Sequence, residues 1–120
     1  MSLRCLIVDD NPSFRAAMQA LLEAEGIAVV GGAASAADAV EQIAQHQPDV
    51  ALIDIDLGKE SGLGLARRVN DGAAGGGPKV ILISTHDEGE FADLIDATSA
   101  IGFLSKTELS AATIHRMLAA

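Results

Sequence analysis

The stretch ALIDIDLG, residues 51–58, decides how this chain is read. Ala51, Leu52 and Ile53 continue an apolar run begun by Val50, as suits a strand buried on both faces. Asp54 and Asp56 follow at once, with Ile55 between them and Gly58 just beyond. Burying a carboxylate costs several kcal/mol unless a partner balances it. The strand must therefore deliver its acids to a place that tolerates them.

Outward from this stretch, two kinds of segment alternate. Short runs rich in Val, Ile and Leu occur at 3–8, 27–31, 50–53, 79–83 and 101–104. Between them lie stretches with helical spacing: Phe14, Met18, Leu21 and Leu22; then Val40, Ile43 and Ala44; then Leu65, Ala66 and Val69; then Phe91, Leu94 and Ile95. Leu109, Ile114, Met117 and Leu118 form a last, less regular set. Asn11-Pro12 reads as a cap with proline in the first turn, Ser35 with Asp38 as a capping pair, and Thr107 as a cap for the last helix. The Gly-rich DGAAGGGP, 71–78, reads as a loop. Five strands alternating with five helices predict an α/β fold with a parallel sheet covered on both faces.

Composition bounds the function. A chain of 120 residues, 49% hydrophobic, fits one domain with a real core. Its net charge of −9 argues against direct nucleic-acid binding or an anionic membrane, and suits a cation or a basic partner. Cys5 stands alone, so no internal disulfide forms, and it reads as a buried, inert thiol. His46, His86 and His115 lack metal-ligand spacing. No apolar run reaches membrane-span length, and no signal peptide is legible, so a cytoplasmic protein is expected.

In open parallel sheets, ligands bind outside the carboxyl ends of the strands. There the first strand delivers Asp9 and Asp10, the second GGAAS, and the third Asp54 and Asp56. The fourth delivers Ser84, Thr85 and His86, and the fifth Ser105 and Lys106. GGAAS lacks the lysine of a phosphate-binding loop and reads as a turn with a cap. Clustered carboxylates call for a hard divalent cation, and Mg²⁺ suits one or two carboxylates plus a phosphate. With a hydroxyl and an ammonium alongside, the set suits phosphoryl transfer onto a carboxylate.

Four motifs in order, LIVDDNPSFR, PDVALIDIDLGKESG, VILIST and GFLSK, resemble the receiver domain of two-component response regulators. The last, extended to GFLSKTEL, is most similar to the NarL/FixJ type. The resemblance spans essentially the whole chain. It implies a flavodoxin-like (βα)5 three-layer sandwich, with a parallel sheet of order 2-1-3-4-5, over one domain, 1–120. It implies a signalling domain rather than an enzyme with turnover. Asp54 would accept a phosphoryl group from a sensor histidine kinase, and the switched domain would control an output domain or partner. Asp10, Asp54 and the backbone carbonyl of Asp56 would hold Mg²⁺, for which Mn²⁺ can substitute, with Asp9 in the outer shell. Ser84 and Phe103 would switch, and Lys106 would bind the phosphoryl oxygens. Asp56, Thr85 and His86 would form a rim that tunes phosphoryl lifetime. A homodimer would use the face of the fourth helix, fifth strand and fifth helix.

The sequence departs from the family at Gly58, where proline is usual, and a looser loop after the acceptor is expected. Thr85 replaces a small residue, and Thr107 stands where a cis-proline is common. The chain ends before the helix-turn-helix domain that often follows in this type. A rival reading is an aspartate-nucleophile phosphatase of the haloacid dehalogenase type, which DID fits superficially. Against it, an acid pair precedes DID and no cap-forming segment is legible. A second rival is a degenerate receiver that binds without phosphorylation, against which the intact site residues speak.

Overall fold

A computed structural model describes residues 3–58, 60–72, 78–84 and 100–119. Strand β1 (Arg4–Val8) leads through helix α1 (Pro12–Ala24) to β2 (Ala28–Ala33), and α2 (Ala36–His46) leads on to β3 (Val50–Asp54). Two very short strands, β4 (Asp56–Leu57) and β5 (Glu60–Ser61), pair antiparallel ahead of α3 (Gly62–Gly72). Then come β6 (Lys79–Ser84), β7 (Gly102–Ser105), a single 3₁₀ turn (Lys106–Glu108) and a C-terminal helix (Ala111–Ala119).

The five longer strands form one parallel sheet of order β2-β1-β3-β6-β7, which is the expected 2-1-3-4-5 once the short ribbon is set aside. Each strand interior is apolar throughout because both sheet faces are covered. Leu6, Val8, Ala51, Ile53, Val80, Leu82 and Phe103 meet α2 and α3 through Ala36, Ala39, Leu65, Ala66 and Val69. Their chain neighbours Cys5, Ile7, Val50, Leu52, Ile81, Ile83 and Leu104 meet α1 and the C-terminal helix through Leu22 and Ile114. The alternation is thus between two apolar layers, not between core and water.

Local chemistry sets the helix ends. Asn11 Oδ1 accepts from the N–H groups of Ser13 and Phe14, and Pro12 occupies the first turn, where no N–H is needed. Ser35 Oγ accepts from Asp38 N–H as expected. Helix α2 stops at Gln47, which takes the left-handed conformation, ahead of Pro48. The last helix is capped by Ser110, not Thr107: Ser110 Oγ accepts from Thr113 N–H, and Thr113 Oγ1 accepts from Ser110 N–H. Thr107 instead donates its N–H to Ser105 Oγ and closes the 3₁₀ turn. No cis peptide bond follows Lys106.

Two helix faces are rotated from their periodic reading. In α1, Leu21 is exposed while Leu22 is fully buried; in α2, Val40 and Ala44 are exposed and Ala36 and Ala39 are buried. Small residues face the sheet where a helix backbone runs close to it, which hydrophobic periodicity alone underweights. Helix α3 also runs on through Asp71 and Gly72, into the stretch read as loop. The fourth helical stretch, with Phe91, Leu94 and Ile95, lies outside the described residues.

After β1 the chain turns to one side for β2 and then crosses to the other for β3. The crevice at such a reversal lies between the carboxyl ends of β1 and β3, where Asp9, Asp10 and Asp54 emerge.

Candidate functional site

Register places the acids. Val8 pairs with Ile53, so Asp9 and Asp54 each stand one step beyond a paired, buried residue. Asp9 is fully buried, and Asp54 is 5% exposed. Lys106, in the turn after β7, reaches both: its Nζ lies 2.6 Å from Asp9 Oδ2 and 3.0 Å from Asp54 Oδ2. One ammonium thus serves two buried carboxylates, which makes the two aspartates tolerable inside the fold.

The remaining oxygens are held by backbone. Asp9 Oδ1 accepts from Asn11 N–H at 2.8 Å, and Asp54 Oδ1 accepts from Asp56 N–H at 3.0 Å. Asp9 Oδ2 has the ammonium as counter-charge and no well-aligned hydrogen bond among the described residues. Arg15 donates to the backbone carbonyl of Asp9 and clamps α1 to the end of β1. Burial raises the Asp54 pKa, outweighing the Asp56 N–H and the Lys106 charge, which lower it. Burial lowers that of Lys106, but the Asp9 and Asp54 carboxylates more than reverse this, so its pKa is raised.

The cleft, of about 280 Å³, is lined by Asp9, Asp10, Asn11, Asp54, Asp56, Gly58, Ser84 and Lys106. Ser84, 2% exposed, ends β6 opposite Ser105. Asp10 is exposed, and one oxygen from each of Asp9, Asp10 and Asp54 lies within 4.8 Å of the others. Three hard oxygen donors at that spacing, one buried without a well-aligned hydrogen bond, fit a small divalent cation that keeps several waters. Asp56 is exposed on the rim, with its backbone in the β4–β5 ribbon. Phe103 is buried in the layer facing α2 and α3. Thr85 and His86 lie outside the described residues.

The loop after Asp54 is not loose. Leu57 pairs with Glu60, and Gly58, directly after Leu57, has φ +67°, a conformation closed to proline. Glu60 then accepts from Ala36 N–H at 3.0 Å, so the ribbon caps α2. The sequence motif around Asp54 ends at Gly62, but the pattern gave that glycine no role. A Cβ there would collide with the carbonyl oxygen of Asp54, so only glycine lets the start of α3 touch the end of β3. A glycine directly after a short ribbon strand carries no signal for that approach. Cys5 is inert as expected, its thiol pushed up to about 12 by burial.

The response regulator receiver domain family matches residues 5–119. Response regulator UvrY of Escherichia coli (strain K12) is 32% identical over 105 residues, covering 87% of this chain and 47% of that protein. A protein-glutamate methylesterase/protein-glutamine glutaminase of Myxococcus xanthus is 38% identical over 87 residues, 72% of this chain but 24% of its own. The chain spans half or less of the curated relatives it matches. Among solved structures, a NarL signal receiver domain from Mycobacterium tuberculosis superposes with a TM-score of 0.84 at 32% identity, over 99% of this chain and 98% of that one. A LuxR-family response regulator from Aurantimonas superposes at 0.85 with 26% identity, over 99% and 84%.

Proposed function

The chain belongs to the response regulator receiver domain family, of the NarL/LuxR-like kind, and we propose that it accepts a phosphoryl group on Asp54. The observation that carries this reading is the shared ammonium: Lys106 bridges the buried Asp9 and Asp54 at the sheet's topological switch point. A carboxylate held there, desolvated and beside a fixed cation, is a nucleophile for an activated phosphate. A new O–P bond forms at an Asp54 carboxylate oxygen as the donor's bond to phosphorus breaks, and the donor's leaving group keeps the electron pair. Lys106 then meets the phosphoryl oxygens, and Ser84 approaches from β6.

Asp10, Asp54 and the carbonyl of Asp56 would hold Mg²⁺, or Mn²⁺ in its place, with Asp9 outside the first shell. When bound, the ion neutralises charge that develops on the transferring group. The donor in the cell is a sensor histidine kinase. We read residues 1–120 as one receiver domain that acts on itself and has no other substrate. Its output is control of a partner or of a further domain, with a homodimer through β7, the C-terminal helix and the fourth helical stretch. Phe103 serves as a switch residue in this scheme, and Thr85 and His86 join Asp56 as the rim. No helix among the described residues is long and apolar enough to cross a membrane.

Incubation with acetyl phosphate and Mg²⁺, read by intact mass, tests this. Wild type and Asp56→Asn should each gain one phosphoryl group, and Asp54→Asn none. Modification of Asp54→Asn at the wild-type level would overturn the assignment. Repeated turnover of a phosphomonoester would instead favour a phosphatase.

A further inference from the structure

Lys106 has a third neighbour. Its Nζ stands 4.3 Å from the centroid of the Phe14 ring, within cation–π range. Phe14 lies in the first turn of α1 and is half-buried against the layer that contains Leu22 and Ile114. Its helical spacing assigns it to packing alone. The ammonium side chain is 14% exposed, so the ring meets a largely desolvated cation, where this interaction is strongest.

The ring's place is fixed by the site itself. Asp9 Oδ1 takes the Asn11 N–H, and Asn11 Oδ1 takes the Phe14 N–H at 3.2 Å. The Phe14 ring then faces the Lys106 ammonium, which returns to Asp9 Oδ2. These contacts close a circuit through one carboxylate, one helix cap, one aromatic ring and one ammonium. Two of the ammonium's three partners are committed to the reaction: Asp54 accepts the phosphoryl group, and Asp9 would turn to the water shell of a bound cation. The ring can neither bind a hard cation nor accept a phosphoryl group.

We propose that Phe14 is a positioning residue, whose ring face holds the Lys106 ammonium over the site whatever occupies the two carboxylates. This rests on the reading of Asp54 as phosphoacceptor. The long lysine stem otherwise has rotamers that carry its charge out to water once Asp9 is engaged elsewhere. An unmoving apolar partner keeps the charge available without neutralising it.

The test compares aromatic with aliphatic replacements in the whole chain. Phe14→Tyr and Phe14→Trp keep a ring face, while Phe14→Leu keeps apolar bulk without one. Phosphorylation by acetyl phosphate with Mg²⁺ should stay within about twofold of wild type in the aromatic variants, and slow about fivefold in Phe14→Leu. In a Lys106→Met background, Phe14→Leu should change nothing further. Equal rates in all variants, or a uniform loss that follows their melting temperatures, would assign Phe14 to packing only. A second readout needs no phosphorylation. The ε-methylene protons of Lys106 should resonate upfield from the ring current, remain so when Mg²⁺ is added, and move downfield in Phe14→Leu but not Phe14→Tyr. An ordinary lysine shift in wild type, or one restored by Mg²⁺, overturns the proposal even if Asp54 is phosphorylated. Failure of Asp54 to be phosphorylated, with the upfield shift intact, would fault the acceptor reading instead.

Discussion

At the carboxyl ends of the strands, Asp9, Asp54 and Ser84 are buried, and a lysine from the turn after β7 reaches two of them. At the amino ends of the same strands, Arg4, Asp49 and Lys79 are exposed. There Arg4 donates its backbone N–H to Asp49 and its guanidinium to the Gln47 carbonyl, contacts that water could replace. Each end has a cleft. The one at the amino end, about 330 Å³, is of similar size and is lined by Lys79, Ile101, Met117 and Leu118. Size therefore does not mark the site. What marks it is charge that the fold buries and must balance with specific long-range partners.

Glycines probe this contrast most severely. Gly62→Ala drives a Cβ into the Asp54 carbonyl, backbone against backbone, and should cost about 3 kcal/mol or more. At the other end, a Cβ on Gly102 meets the Met117 sulfur at 2.9 Å, and that flexible side chain can swing away. Gly102→Ala should cost roughly 1 kcal/mol or less. Urea denaturation of both variants decides it; similar losses would erase the distinction between a rigid and a yielding end.

Charge removal is the next probe. Lys106→Met strands two buried carboxylates and should destabilise the metal-free protein at pH 7 by about 2 kcal/mol, below the usual cost because the ammonium keeps some water. Lys79→Met should change stability by less than about 0.5 kcal/mol. If the two substitutions proved equivalent, Lys106 would be no more than a surface charge.

The two ends also differ in their response to pH. Burial raises the Asp54 pKa, so ionising this group costs the folded state stability as pH rises from its ordinary 3.8 through the raised value. Metal-free Asp54→Asn should therefore melt higher than wild type at pH 7. The gain should vanish as pH falls towards the ordinary value, where both side chains are neutral. Melting curves in chelator across that range supply the check, and a lower melting temperature for Asp54→Asn at pH 7 would mean that Lys106 fully compensates the buried charge.

Local sequence was enough for the alternation of strands and helices, the parallel sheet, and the set of acids, hydroxyl and lysine at one edge. These are local facts: an apolar run, a cap such as Asn11, and the residue type that follows each strand. Tertiary structure alone decided which carboxylates became buried, that Lys106 pairs with Asp9 as well as Asp54, and that Phe14 turns its ring to the ammonium rather than only to the core. It also made the loop at Gly58 tight, required Gly62, and turned Ala36 and Ala39 towards the sheet in place of Val40 and Ala44. Each of these depends on the distance between segments remote in the chain. Periodicity gives a residue its side of a helix only to within a neighbouring position, and no local pattern records how closely two backbones will pass.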